Sequence, residues 1–362
     1  MSAAERLVPG TTFAGYRVER LLGSGGMGAE YVAMHPRLPK RVALKLLHPG
    51  LTSDRFVRAR FEQEAETVAR LEHPNIIAVE DRGRVGDQLW MAMRYVVGSD
   101  ADGALRDGPL DPGRAVYIVT ETAEALDYAH ELGVLHRDVK PANILLERRG
   151  SGRRERVLLA DFGIAKALAE SAELTTSGTM VASLPYAAPE QFGDGELDAR
   201  IDVYALGCTL FRLLTGKPPY AGNTLHQLWF GHVQAPIPKV SETRPDLPAG
   251  FDAVIETALA KQPGDRFRTC GELADAAIAA LRTPPIRPAR PVDVGRSPRP
   301  PAETTMRRVE PVAPAPPARP VVEAVDAERD AVPAHRAQHV ELLVGVRSPR
   351  GLVRVQPVLR DP

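Results

Sequence analysis

The sequence predicts an α+β fold of two lobes followed by a tail, and three observations carry that expectation. Short strand patterns at residues 31–34 and 41–45 flank the turn-rich stretch 35–40 early in the chain. The apolar period then becomes helical over 55–71, where Phe56, Phe61, Ala65, Val68, Ala69 and Leu71 are candidate inner positions, and again along Ala115, Ile118, Val119, Ala123, Leu126, Ala129 and His130. Beyond Thr283 the composition changes, with 16 of the 33 prolines in the last 79 residues, too little apolar surface there to offset chain entropy. With 362 residues the chain exceeds one average domain and suits two lobes plus a tail.

Lys plus Arg equals Asp plus Glu at 46 each, so bulk charge supports neither a nucleic-acid partner nor a membrane surface. No apolar run reaches the roughly 18 to 20 residues of a spanning helix. Residues 1–10 lack the apolar centre of a signal peptide, and a cytoplasmic protein without membrane insertion is expected. Cys208 and Cys270 lie far apart and outside any metal-ligand spacing, which predicts reduced, buried thiols.

The densest chemistry lies in His136-Arg137-Asp138-Val139-Lys140-Pro141-Ala142-Asn143, followed eighteen residues after Asn143 by Asp161-Phe162-Gly163. A carboxylate, an ammonium, a carboxamide and a second carboxylate at these offsets can bring a hydroxyl and a nucleotide phosphate together around a hard divalent cation. Upstream, Gly23-Ser24-Gly25-Gly26-Met27-Gly28 has the form G-x-G-x-x-G. Dinucleotide-binding folds use this form to open a helix, whereas here strands surround it. Glycines in such a loop let backbone N–H groups approach phosphate oxygens.

With Val42-Ala43-Leu44-Lys45, His73-Pro74-Asn75-Ile76, Asp161-Phe162-Gly163 and Ala188-Pro189-Glu190 in order, the chain resembles the bacterial, eukaryotic-like Ser/Thr protein kinases, in the style of actinobacteria. The resemblance implies a bilobal protein-kinase fold over 16–282. A small lobe, 16–93, would hold a five-stranded antiparallel sheet and one main helix; a hinge at 94–98 would lead to a large, mainly helical lobe, 99–282. Residues 1–15 would be an extension and 283–362 a disordered tail offered to partner domains. ATP would sit between the lobes, with Mg2+ or Mn2+, and the partners would be proteins with Ser or Thr acceptors. A homodimer through the small lobe is a further family expectation.

The same resemblance assigns roles. Asp138 would orient the substrate hydroxyl, Lys140 would stabilise the transferring phosphoryl group, and Asn143 with Asp161 would hold the metal. Lys45 would meet the α and β phosphates, with Glu64 as its ion-pair partner. Leu22, Ala43, Met93 as gatekeeper and Leu145 would enclose the adenine, the backbone of Arg94 to Val96 would bond its edge, and Asp100 would meet the ribose. Thr175, Thr176, Ser177 and Thr179 would lie in an activation segment, and Ser183 would bridge Asp138 and Lys140. Arg137 would bind a phosphothreonine there. Asp202 would brace the catalytic-loop backbone, Arg266 would pair with Glu190, and His136 would pack as a structural link beneath Phe162.

Two places depart from the family. Ala182-Ser183-Leu184-Pro185 replaces its usual pattern, so peptide preference does not carry over. Glu30 stands where a Val is usual, and strand alternation aims it with Val32 at the adenine. A desolvated carboxylate there costs on the order of 1 to 3 kcal/mol unless it finds a partner or turns outward, so weakened ATP affinity is expected, relieved in Glu30→Val. Glu30 is also the best support for the rival reading, a pseudokinase that signals by contact.

Overall fold

The structure, a computed structural model, describes residues 7–25, 28–48, 63, 65–150, 153–162, 184–193 and 195–283. Strands β1 (Thr12–Phe13), β2 (Tyr16–Gly25), β3 (Gly28–Met34), β4 (Arg41–Leu47), β5 (Val79–Val85) and β6 (Gln88–Arg94) form one antiparallel sheet in the order β1-β2-β3-β4-β6-β5. It contains the five expected strands and a two-residue edge strand, β1, which draws part of the expected N-terminal extension into the sheet.

Alternation of side chains divides this sheet between two environments. Tyr31, Ala33, Val42, Leu44, Trp90 and Ala92 pack into one core on the outer face. Leu47, Met91 and Met93, on the opposite face, belong to the main core that continues into the rest of the chain. Residues 65–69 are helical (α1), with Ala65 and Val68 buried. Ala69, expected inside, is exposed. The last turn tightens, with Arg70 N bonding Thr67 O and Leu71 N bonding Val68 O, which brings Leu71 to the core side instead. Phe56 and Phe61 lie outside the described residues.

After the short strand β7 (Gly98–Asp100), α2 (Ala101–Ala104) leads to the 20-residue α3 (Pro112–Glu131). Asp111 caps α3 by accepting from Arg114 N, and Pro112 sits where a missing N–H is harmless. Its expected inner residues Ala115, Ile118, Val119, Ala123, Leu126 and Ala129 are buried. β8 (Ile144–Glu147) and β9 (Arg156–Leu159) join β7 in a second sheet, order β7-β8-β9. α4 (Arg200–Thr215) is buried almost all round, as a helix apolar on every face must be, and ends at Gly216 with φ 78°.

α5 (Leu225–Val233), α6 (Val240–Thr243), α7 (Gly250–Ala258) and α8 (Cys270–Arg282) complete the larger lobe. Cys208 and Cys270 are buried thiols. The Asp127 carboxylate on α3 accepts from Cys270 N at 2.9 Å and Gly271 N at 2.8 Å, capping α8. No helix among the described residues is long and apolar enough to cross a membrane.

The guanidinium of Arg266 is wholly buried and grips Glu190 in a fork, Nη1 to Oε1 at 2.6 Å and Nη2 to Oε2 at 2.8 Å. The same guanidinium donates to the carbonyls of Ala260, Arg200 and Lys261. Removing one partner of such a pair leaves a buried charge alone. Arg266→Met is therefore expected to destabilise by about 3 kcal/mol, lowering Tm by about 6 to 12 °C in thermal unfolding. The double variant with Glu190→Met should regain part of that loss; equal losses for single and double variants would exclude the ion pair as the cause.

Candidate active site

The site is built on a segment without regular structure, residues 134–140, which needs outside partners for its backbone. Asp202, in the first turn of α4, provides them: Oδ2 accepts from His136 N and Oδ1 from Arg137 N, both at 2.8 Å. His130 Nε2 lies 2.9 Å from Oδ2. Burial pushes the Asp202 carboxyl upward, but the hydrogen bond and charge of His130 and the backbone N–H of His136 hold it below the usual range.

His136 is fully buried. Asp138 N donates to its Nδ1 at 3.3 Å, which makes Nε2 the N–H donor to Ala160 O at 3.0 Å. Its ring lies 4.6 Å from that of Phe162, and burial lowers its pKa. Both ring nitrogens are therefore committed to backbone, and no proton is left for chemistry. Arg137 and Asp161 hold left-handed backbone, φ 64° and 58°, at a cost of order 1 to 3 kcal/mol each.

The segment delivers Asp138, whose Oδ2 receives Lys140 Nζ at 2.7 Å and Asn143 Nδ2 at 3.0 Å. Asn143 Nδ2 also donates to Asp138 O at 2.8 Å, so Oδ1 is the atom Asn143 can offer a cation. Across the cleft, Lys45 Nζ meets Asp161 Oδ1 at 2.6 Å and Glu30 Oε1 at 3.2 Å. Burial alone would lower the Lys45 pKa, but the two carboxylates raise it overall, so the ammonium is firmly charged.

A cavity of about 290 Å³ opens between these groups, lined by Leu22, Gly23, Glu30, Ala43, Met93 and Leu145 among others. Arg94, Val96, Asp100, Asn143 and Asp161 also reach it. Apolar walls at one end and oxygen donors at the other fit a nucleotide with a hard cation: Asp161 and Asn143 are the ligand types that Mg2+ takes. Ser24 and Gly25 lie on the hairpin limb where Gly25 pairs with Gly28. Added side chains at Gly23 and Gly25 would meet nothing within 4 Å, whereas one at Gly28 would lie 1.9 Å from Leu46 O. Gly28 is thus demanded by the neighbouring strand.

Four further outcomes differ from the sequence reading or escaped it. Glu30 does lie on the cleft face, and its β4 partner is Lys45; burial and then the Asp161 carboxylate raise its pKa, and Lys45, as counter-ion, offsets only part of this. Asp100 Oδ1 accepts from Gly103 N at 2.5 Å as the cap of α2, a second task beside any ribose contact. Arg94 was expected to count only through its backbone, yet Nη2 meets Glu147 Oε1 at 2.5 Å, clamping the end of β6 to β8; no local signal joins residues so far apart in sequence. Arg212 bonds Tyr186 OH at 2.6 Å and also pairs with Asp102, another link invisible in sequence. Gly26, Met27, Glu64, Thr175, Thr176, Ser177, Thr179 and Ser183 lie outside the described residues.

Residues 16–276 match the protein kinase domain family. Serine/threonine-protein kinase PknJ of Mycobacterium tuberculosis is 51% identical over 280 residues, 77% of this chain and 47% of PknJ. PknF of the same organism is 48% identical over 273 residues, 75% of this chain and 57% of PknF. The chain thus spans about half the length of the curated relatives it matches. The crystal structure of the M. tuberculosis PknI kinase domain superposes with TM-score 0.63 at 42% identity, covering 76% of this chain and 99% of that one.

Asp202→Asn keeps one acceptor but turns an NH2 group toward the other backbone N–H, at a cost of about 2 kcal/mol and about 4 to 8 °C in Tm. The folded carboxyl titrates below its ordinary 3.8, so its stabilisation is complete above that value and fades as pH falls through the lower folded pKa. The Tm gap between wild type and variant should therefore narrow on acidification below about pH 4. A gap independent of pH would show that the charge of Asp202 is not what holds the loop.

Proposed function

Because the chain belongs to the protein kinase domain family, we propose that it transfers the γ-phosphoryl group of ATP to Ser and Thr hydroxyls of proteins, its own activation segment included. One observation carries this reading: Lys140 and Asn143 converge on Asp138 at 2.7 and 3.0 Å, opposite Lys45 and Asp161 at 2.6 Å across one cleft. The names of PknJ and PknF support Ser/Thr acceptors, as does Lys140 two residues after Asp138.

In this mechanism the acceptor hydroxyl binds at Asp138, which orients it and takes its proton as the new O–P bond forms and the bond from the γ phosphorus to the bridging oxygen breaks. Lys140, already on Asp138, places its charge beside the transferring group. Lys45 fixes the α and β phosphates of the departing ADP. Mg2+, or Mn2+, held by Asn143 and Asp161 when bound, supplies neutralising charge on the phosphates. Met93, Ala43, Leu145 and Leu22 enclose the adenine.

We assign the kinase unit to residues 16–282 and place the reaction in the cytoplasm, where ATP is supplied. Thr175, Thr176, Ser177 or Thr179 would receive the activating phosphate, with Arg137 as its bidentate partner.

Purified protein incubated with radiolabelled ATP, magnesium and a generic acceptor protein should become labelled and label the acceptor. Asp138→Asn should do so about 10²- to 10⁴-fold more slowly. Label on neither protein nor acceptor would overturn the transferase reading in favour of a contact-signalling module.

A further inference from the structure

Glu30 and Lys45 are direct partners across β3 and β4. Residues so placed have Cβ atoms about 5 Å apart and stay together as long as the sheet does. Tyr31 and Leu44, the intervening pair of neighbours, are buried in the outer core, which fixes the register. The other carboxylate on Lys45, Asp161, comes from the opposite lobe, and its place relative to Lys45 depends on how the lobes close. It is also a ligand type the proposed metal requires.

An ammonium has three N–H donors. In the structure Glu30 and Asp161 take two of them. Once Asp161 turns its oxygens to a cation, the sheet-borne carboxylate of Glu30 remains beside Lys45. Lysine sits on a flexible four-carbon stem, so a counter-ion anchored in the same sheet keeps its head from wandering while the cleft opens and closes.

We propose that Glu30 is a positioning residue for Lys45, a counter-ion carried by the glycine-rich hairpin that holds the ammonium at the phosphate end of the cleft independently of lobe closure. This rests on the reading of the cleft as an ATP site. It reverses the effect expected from sequence: the carboxylate strengthens phosphate binding through Lys45, and adenine binding does not depend on it.

The test is calorimetric binding of adenosine, ADP and the β,γ-imido analogue of ATP, with magnesium, to the full chain and to Glu30→Gln. The variant is nearly isosteric, and its thermal unfolding serves as the check on folding. Glu30→Gln should weaken ADP and the ATP analogue about fivefold while adenosine changes less than twofold, and Glu30→Asp, which keeps the charge, should regain part of the loss. Unchanged or tighter ADP binding in Glu30→Gln, or an equal shift for adenosine, would overturn the inference and leave the transferase reading intact. Failure of the wild type to bind either phosphate-bearing ligand would overturn both.

Discussion

The buried carboxylate of Asp202 is the constraint on which the site depends. Residues 135–140 lie in no helix or strand, and an unsatisfied buried N–H costs about as much as the hydrogen bond it lacks. Both oxygens of Asp202 are spent on the N–H groups of His136 and Arg137, which fixes the backbone from which Asp138 projects. A charge so deep needs support against the apolar surroundings of α4, and it has it in His130 and the two backbone N–H groups. The left-handed backbone of Arg137 is sustained by the same contacts.

The electrostatics of the cleft follow from that scaffold. On the large-lobe side one carboxylate, Asp138, gathers an ammonium and a carboxamide. On the small-lobe side one ammonium, Lys45, gathers two carboxylates among the described residues. The two clusters are complementary in charge: the first is centred on a carboxylate, the second on an ammonium. Arg94 with Glu147 ties the end of β6 to β8, whose Leu145 lines the cavity.

Much of this was legible in the sequence, for identifiable reasons. The elements followed from periodicity, since α3 and β4 bury the residues that a 3.6 or a 2.0 repeat selects. Ala69 escaped because a tightened helix end shifts the face by a fraction of a turn, which periodicity cannot register. The cluster at Asp138 was legible because Asp138, Lys140 and Asn143 lie within six positions, where local geometry and chemistry coincide. Arg94–Glu147 and Arg212 with Tyr186 and Asp102 were not, because nothing local distinguishes a surface arginine from one that spans two elements.

Glu30 marks the boundary between the two kinds of knowledge. The sequence by itself determined which face of β3 carries it, because alternation is a property of the strand alone. Its partner was decided only by tertiary structure, through the register of β3 on β4, since pairing depends on hydrogen bonds to a neighbouring strand and on the core packed beneath. In the same way the sequence determined the kinds of chemical group at the site, and the packing of α4 under residues 134–140 decided where those groups point.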